Sequence, residues 1–218
     1  MSAEPAPLPP GQFAGKAFVR FGLGRFRTKP VAHDGPLRLD LQGLVAHPRS
    51  IGASDLAGLD RIEQRSDFHC VTTWSVRGCE WQGVRFAAFC AAIAQPLPEA
   101  ATVVFHGLDG YRCAMQLSDL MADDVLLADT LDGAPLGLAH GGPLRLVAPA
   151  HYGYKNVKHL TAIEFRASRK GYRFPPPYPA LMDHPRARVA LEERAQFVPN
   201  WLIRPIYRLF VPGVIRGR

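Results

Sequence analysis

The chain has 218 residues, of which 47% are hydrophobic and 21% charged, as is typical of a globular domain with a sizeable core. The sequence lacks an apolar run of about 18 residues, which argues against a membrane-spanning helix. The formal net charge of +7 favours an anionic partner, which includes nucleic acid, a phosphate-bearing cofactor, an oxyanion substrate and an anionic membrane surface.

The first predicted element follows a proline-rich start. Four prolines within residues 1–12 predict a mobile leader. In PLRLDLQGLVAHP (36–48), Leu37, Leu39 and Leu41 alternate with polar residues. This alternation predicts a half-buried strand that ends at a glycine.

Two helices and one long strand are predicted next. ASDLAGL (53–59) predicts a short helix with Ser54 or Asp55 as its cap. RIEQRSDFHCVTTWSV (61–76) is rich in β-branched and aromatic residues, which predicts a strand. GVRFAAFCAAIAQ (83–95) is rich in alanine and stops before a proline, which predicts a buried helix.

The second half continues in short strands. They are expected within 102–107, 124–137, 142–149 and 156–167, with a short helix at 118–123. The regular strand–helix alternation and glycine fingerprint of a dinucleotide fold are missing. We therefore predict an α+β fold, mixed and strand-rich with short helices. Its expected parts are an N-terminal leader and basic arm (1–30), the main domain (31–168) and a Pro/Arg-rich C-terminal tail (169–218).

The tail carries most of the surplus positive charge. From residue 172 onward there are eight arginines and three acidic residues, a net charge of +5. Residues 171–179 predict an extended connector and 183–197 a helix, while Pro205 and Pro212 argue against one long amphipathic helix. Two interpretations remain open: a strap packed on the domain, or a docking segment for an electron-transfer partner or a membrane surface.

The cysteines indicate free thiols in a reducing compartment. The four of them, Cys70, Cys79, Cys90 and Cys113, lie in a chain that is neither short nor rich in cysteine. The start of the sequence shows neither a basic segment followed by an apolar one nor a twin-arginine pair. We therefore expect a cytoplasmic protein in which Cys90, inside a predicted helix, serves only packing.

Residue patterns alone leave several kinds of site open. A structural zinc site usually has ligands in closely spaced pairs, which these cysteines lack. A cysteine nucleophile needs a base, and His106, His140 and His151 carry no local signature of one. Segment 140–160 combines basic residues with glycines, which suits either phosphate or oxyanion binding or a solvated basic turn.

Two longer motifs narrow these alternatives. DFHCVTTWSVRGCEWQGV (67–84) and HGGPLRLVAPAHYGYKNVKHLTAIEF (140–165), with GLDGY (107–111) between them, resemble the sulfite oxidase-like family of molybdenum-cofactor oxidoreductases. The likeness spans roughly residues 36–166. It is closest to small bacterial members such as the catalytic subunit of the methionine sulfoxide reductase system.

The resemblance implies a mixed α+β molybdopterin-binding domain. Molybdenum would be held by the two dithiolene sulfurs of one pyranopterin and by the thiolate of Cys70, since a soft thiolate suits such a metal. The residues that map to cofactor contacts are His69, His140, Arg145, Tyr152, Lys155, Asn156 and Lys158. His69 is equally compatible with a packed or surface histidine. Arg20, Arg25 and Arg27 are candidate N-terminal contacts by charge alone.

The function implied is a mononuclear molybdenum oxidoreductase that transfers an oxygen atom or two electrons. Cys70, Arg145 and His140 would be its catalytic residues. Its substrate would be a small oxyanion, sulfoxide or similar molecule, and a separate electron-transfer protein would recycle the metal. The arginine-rich stretch that follows the ligand cysteine in sulfite oxidases is missing here, which weakens the case for sulfite.

Two alternatives stay open. One is a non-catalytic module that binds a pterin or an anion on the same fold. The other is a basic nucleic-acid binder, which the sequence supports least. Residues 35–165 show no basic residues interleaved with aromatics, so we expect no nucleic-acid partner.

Overall fold

Two mixed β-sheets contain most of the regular structure. The structure is a computed structural model that describes residues 7–20, 22, 26, 31, 35–176 and 179–216. The strands are β1 (Phe13–Ala14), β2 (Leu39–Gly43), β3 (Arg49–Ile51), β4 (Arg61–His69), β5 (Trp74–Arg85), β6 (Thr102–Gly107), β7 (Arg112–Gln116), β8 (Leu126–Leu131), β9 (Ala134–Pro135), β10 (Arg145–Val147) and β11 (Leu160–Arg166).

The helices are all short. The α-helices are α1 (Ala53–Ala57), α2 (Phe86–Phe89), α3 (Leu117–Leu120), α4 (Asn200–Leu209) and α5 (Gly213–Arg216). A π-helical turn (Cys90–Ala94) extends α2, and 3-10 turns occur at Leu138–His140, Gly153–Lys155 and Ala180–Met182. None of the helices in the described part of the chain has the length and apolarity needed to cross a bilayer. The predicted strand-rich α+β fold with short helices is confirmed.

The first sheet has the order β1-β5-β8-β10, with β4 also paired to β5 and β9 to β8. Its pairs are antiparallel except β1 with β5. The second sheet has the order β3-β2-β11-β6-β7, in which only β2 and β11 run parallel. Within the described residues, each sheet therefore mixes both strand directions.

The main core lies where the second sheet meets α2 and the ends of β5, β8 and β10. Alternate residues of a strand face the same side. Leu39 and Leu41 of β2 point inward with Phe105 of β6 and Phe165 of β11, and they pack in one cluster with Phe86 of α2. The alternation predicted for 36–48 is confirmed. Cys90 belongs to the same core, as expected.

The prediction of a single strand over 61–76 is wrong, because the chain forms a hairpin there. β4 ends at His69 and β5 begins at Trp74, so Cys70 lies in the connecting turn. The Cys70 amide donates to the Trp74 carbonyl at 2.8 Å, and Thr73 has a φ of +79°. The β-propensity of Val71, Thr72 and Thr73 is overridden, since pairing across the hairpin is set by context.

Two helix predictions need correction. The N-cap of α1 is Gly52, and the Asp55 carboxylate accepts a hydrogen bond from the Gly52 amide at 2.9 Å. The helix predicted over 83–95 starts only at Phe86, because Gly83 still belongs to β5. A Cβ at Gly83 would overlap the backbone of Leu127 in β8, so the glycine permits close strand pairing there.

Both ends of the described chain contact the domain, which agrees with the strap interpretation of the tail but not with a leader that is mobile throughout. Within the leader expected to be mobile over 1–12, Pro10 and Gln12 bond to Arg194 and to the Cys70 carbonyl, and β1 pairs with Trp74 and Ser75. No helix forms within 183–197, where Glu193 instead accepts from the amide and guanidinium of Arg188. The tail helix ends before Pro212, as that proline suggested, whereas Pro205, the other expected break, lies inside α4. Strand β7 was not predicted.

Candidate functional site

One cavity brings the hairpin turn, the basic segment and the tail together. It is partly open to solvent. Cys70 lines it from the β4–β5 turn, and Asn156, Lys158 and His159 line it from the segment before β11. Tyr207 of α4 completes one wall. Residues far apart in sequence therefore share one site.

The sulfur of Cys70 is held by its own turn. The Sγ atom lies 3.1 Å from the Thr72 hydroxyl oxygen, which also accepts from the Trp74 indole nitrogen at 3.1 Å. Burial raises the pKa of the Cys70 thiol to about 11, against a smaller opposing effect of the Thr72 hydrogen bond. The Cys70 sulfur is therefore held in one direction by its turn, and Trp74, Val211 and Ile215 pack around the residue.

Distant segments hold the backbone of this turn. The buried guanidinium of Arg194 donates to the Val71 carbonyl at 2.8 Å and to the Pro10 carbonyl at 3.1 Å. Gln12 donates to the Cys70 carbonyl at 3.1 Å. The ring of Tyr152 lies beneath Arg194, 4.9 Å from the guanidinium carbon. The leader and the tail thus clamp the turn that carries the sulfur.

Positive charge gathers on the cavity wall. Lys158 and Arg20 both line the cavity, and Lys158 donates to the Ala139 carbonyl at 3.2 Å. Burial, and then the nearby Arg145 and Arg20, lower the pKa of Lys158 to about 7. Asp109 lies on the same wall, where its carboxylate accepts from the Tyr111 amide at 2.9 Å. A bound anion would favour the protonated form of Lys158, so Lys158 and Arg20 together suit an anionic ligand.

Arg145 and His140, predicted as catalytic, do not line the cavity. Arg145 is fully buried and donates to the His140 carbonyl at 2.7 Å, with its guanidinium 5.0 Å from the Trp81 ring. Burial lowers the pKa of Arg145 to about 10. His140 packs its ring against Phe18, and its Nδ1 has no hydrogen-bond partner among the described residues. Arg145 therefore holds the Leu138–His140 turn through the His140 carbonyl without lining the cavity.

The other residues predicted to contact the cofactor form hydrogen bonds with different parts of the protein. Lys155 is fully buried, and its Nζ is 2.9 Å from both the Asp183 carboxylate and the Ala114 carbonyl. His69 contacts the Ser75 hydroxyl at 2.8 Å. Asn156 lines the cavity, while its side-chain oxygen accepts from the Ala148 amide at 2.7 Å. Of the seven residues predicted to contact the cofactor, only Asn156 and Lys158 line the cavity.

Several residues that line the cavity were not predicted from the sequence as site residues. His159, with Nδ1 2.7 Å from the Gly142 carbonyl, stands in the basic segment that was recognised. Asp109 and Tyr111 belong to the quoted GLDGY motif, which was the available signal. Tyr207 had no signal, because its place depends on how the tail folds back. Arg25 and Arg27 lie outside the described residues, whereas Arg20 lines the cavity.

The residues present fit a phosphate-bearing pterin with a soft metal. The donor set is one directed thiol beside ammonium and guanidinium groups, which suit metal and phosphate respectively. The rings of Phe68 and Tyr111 supply flat apolar walls. Gly153 allows the Phe68 ring to pack directly against the loop backbone, because a Cβ there would overlap that ring. The cavity therefore has the chemistry that such a cofactor needs.

Replacing Gly153 with Ala is expected to destabilise the fold and weaken cofactor retention. The added methyl must displace Phe68 or the Gly153–Lys155 turn, at a cost of about 1–3 kcal/mol. Gly137→Ala is the matched control, because a Cβ there has open space and its φ of −70° is accessible to alanine. Urea unfolding of both variants measures the difference, and equal stabilities would contradict the packing argument.

Known proteins share this fold and these motifs. Residues 28–173 match the family model of the oxidoreductase molybdopterin-binding domain. The chain is 38% identical over 145 residues to the uncharacterized oxidoreductase YuiH of Bacillus subtilis, covering 62% of this chain and 73% of YuiH. It is 30% identical over 126 residues to YedZ1 of Azospira oryzae, a putative protein-methionine-sulfoxide reductase subunit, covering 58% of this chain and 47% of that protein.

A solved structure shows the same architecture. The sulfane dehydrogenase SoxCD of Paracoccus pantotrophus superposes with a TM-score of 0.54 at 25% sequence identity, covering 61% of this chain and 40% of the SoxCD chain. The chain thus spans less than half the length of SoxCD and of the Azospira relative. The family model covers most of the chain and agrees with the two motifs. The chain belongs to the oxidoreductase molybdopterin-binding domain family, the sulfite oxidase-like group, whose cofactor is molybdenum held by molybdopterin.

Proposed function

We propose that the protein is a mononuclear molybdenum oxidoreductase in which the Cys70 thiolate ligates the metal. The single observation that carries the proposal is the shared cavity: Cys70 and the basic segment with Lys158 line the same space. A soft ligand and a phosphate-binding cation on one wall are what a molybdenum–pterin group requires. The reaction would transfer an oxygen atom or two electrons.

The chain's own residues divide the work of binding and orientation. Lys158 and Arg20 would hold the anionic group of the cofactor by charge-assisted hydrogen bonds. Thr72 directs the Cys70 sulfur, and Arg194 fixes the Val71 carbonyl of its turn. The bound molybdenum and pterin supply the two-electron redox chemistry.

We assign Arg145 and His140 a positioning role. Arg145 anchors the His140 carbonyl, and Lys158 donates to the carbonyl of the preceding residue, Ala139. The Leu138–His140 turn therefore connects the buried guanidinium to the cation that faces the cavity. Through this turn, Arg145 would set the place of Lys158 rather than touch the cofactor.

The open side of the cavity would admit a small substrate. Its cations favour an oxyanion or a polar S–O group. The Azospira relative is named as a subunit of a protein-methionine-sulfoxide reductase, and SoxCD as a sulfane dehydrogenase. We propose a sulfoxide or a similar small sulfur compound as substrate, with a separate protein exchanging electrons with the metal.

The test is analysis of protein purified from a host that makes molybdopterin. We expect stoichiometric molybdenum by mass spectrometry, a fluorescent pterin after oxidative release, and reduction of a model sulfoxide with a viologen donor. Protein that carries pterin but neither metal nor turnover would instead be a pterin-binding module. Protein free of both metal and pterin would refute the proposal.

A further inference from the structure

The tail exposes an apolar surface on the outer side of α4 and α5. This tail face consists of Trp201, Leu202, Ile206, Leu209, Phe210 and Val214. Trp201 is 74% exposed and Leu209 is 81% exposed. Large apolar side chains grouped this closely on a surface mark an interaction site more often than chance exposure.

The orientation of the tail face is fixed by packing. Ile203, Tyr207, Val211 and Ile215 recur every four residues and are all buried. Ile203 and Tyr207 pack with Val71, and Val211 and Ile215 pack in the cluster that contains Cys70. Ile203 and Tyr207 share one side of α4, and Ile215 is the buried residue of α5, so the exposed residues of the tail face lie on the remaining sides of these helices. The apolar residues of the tail face are therefore not part of the hydrophobic core.

The exposed charges beside the tail face are cationic, while the partly buried Glu192 pairs with Arg204 of α4. Arg208 and Arg216 are exposed, and Lys16 lies with them around a shallow depression next to Leu209. No aspartate or glutamate follows Glu193 in the sequence. A short helix with an outward apolar stripe, a tryptophan and an arginine rim has the pattern of an interfacial membrane helix.

We propose that α4 and α5 dock the protein on the surface of an anionic membrane. Trp201 and Leu209 insert at the boundary between headgroups and acyl chains, and Arg208 and Arg216 contact anionic headgroups. An anionic lipid surface is a better partner for the tail face than a groove on another protein. Lipids can rearrange around an exposed helix, and their negative charge complements the arginines. The proposal is independent of the redox function.

Trp201 provides a direct probe of docking. The other two tryptophans, Trp74 and Trp81, are 0% and 1% exposed, so only Trp201 can change its surroundings on binding. We expect vesicles of phosphatidylcholine with phosphatidylglycerol to shift tryptophan emission to shorter wavelength and to protect it from acrylamide. Vesicles of phosphatidylcholine alone should do so weakly, and high salt should reverse most of the effect.

Two matched variants distinguish the loss of an apolar membrane contact from the effect of an added negative charge. Leu209→Glu is expected to weaken co-sedimentation with the anionic vesicles at least about tenfold, since the leucine side chain no longer buries its apolar surface among the lipids. Met121→Glu makes the same charge change at a residue that is 43% exposed elsewhere, and should bind as the wild type does. Both positions are exposed, and thermal melts should confirm that both variants fold.

Three results would overturn the proposal. The first is no association of the wild type with anionic vesicles. The second is an equal loss of binding in Leu209→Glu and Met121→Glu, which would reduce the effect to net charge. The third is a wild-type dimer that Leu209→Glu makes monomeric while vesicle binding stays unchanged, which would assign the tail face to a second copy of the chain.

Discussion

Replacing Cys70 with Ala is expected to abolish turnover and to release molybdenum while the fold stays intact. The thiolate is the one protein ligand that we assign to the metal, so its loss should reduce activity by at least about a hundredfold, the upper range for groups that merely support metal ligands. The fold should lose no more than about 1 kcal/mol, because only one small buried atom is removed. Metal analysis and urea unfolding of the same preparation check both expectations.

Cys79→Ala is the matched control for Cys70. Cys79 is also buried, but it packs with Trp81 and Leu126 and does not line the cavity. Its loss should carry a similar small cost in stability and leave the molybdenum content unchanged. Retention of full molybdenum in Cys70→Ala, or an equal loss in both variants, would remove Cys70 from the role of ligand.

Local patterns were sufficient for most strands, and the family resemblance indicated where the candidate site lies. The alternation around Leu39 and Leu41 predicted β2, and the motif around Cys70 predicted a site shared with the basic segment. The turn from Cys70 to Thr73 was missed because β-branched residues favour strands locally. Only cross-strand register, with His69 opposite Ser75, shows that the chain reverses there.

The part of the site that comes from the tail could not be predicted from sequence. Arg194 reaches the Val71 carbonyl and Tyr207 lines the cavity because the tail folds back across the domain. Nothing in the local sequence encodes that path, since the contacts join segments that lie more than a hundred residues apart. Ion pairs such as that of Arg188 with Glu193 replaced the helix expected there.

The two lysines of the basic segment show that the sequence also did not predict where individual side chains point. Sequence similarity gave Lys155 and Lys158 the same cofactor-binding role. The 3-10 turn Gly153–Lys155 and the extended residues after it place their side chains in different surroundings. Lys155 pairs with the buried Asp183, whereas Lys158 lines the cavity. We therefore propose that Lys155 stabilises the fold and that Lys158 binds the anion.

Lys155→Met is expected to lower the free energy of unfolding by about 3 kcal/mol, within the range for breaking a buried ion pair. The change leaves the Ala114 carbonyl without this donor, and it leaves the buried Asp183 carboxylate with Arg169 as its remaining ion-pair partner. Adding Asp183→Asn should restore part of the lost stability, because the buried charge then disappears as well. Urea unfolding of protein made without the cofactor isolates this effect from binding.

Lys158→Met is the matched variant and should show the opposite pattern. Its Nζ makes one hydrogen bond, to the Ala139 carbonyl, so the unfolding free energy should change by less than about 1 kcal/mol. Cofactor affinity should fall about tenfold or more, because a charge-assisted hydrogen bond to the anionic group is lost. Titrating cofactor-free protein with isolated molybdopterin measures this loss. If Lys155→Met loses the cofactor at unchanged stability while Lys158→Met binds it normally, the two roles must be exchanged, because the ion pair to Asp183 would then contribute nothing to folding.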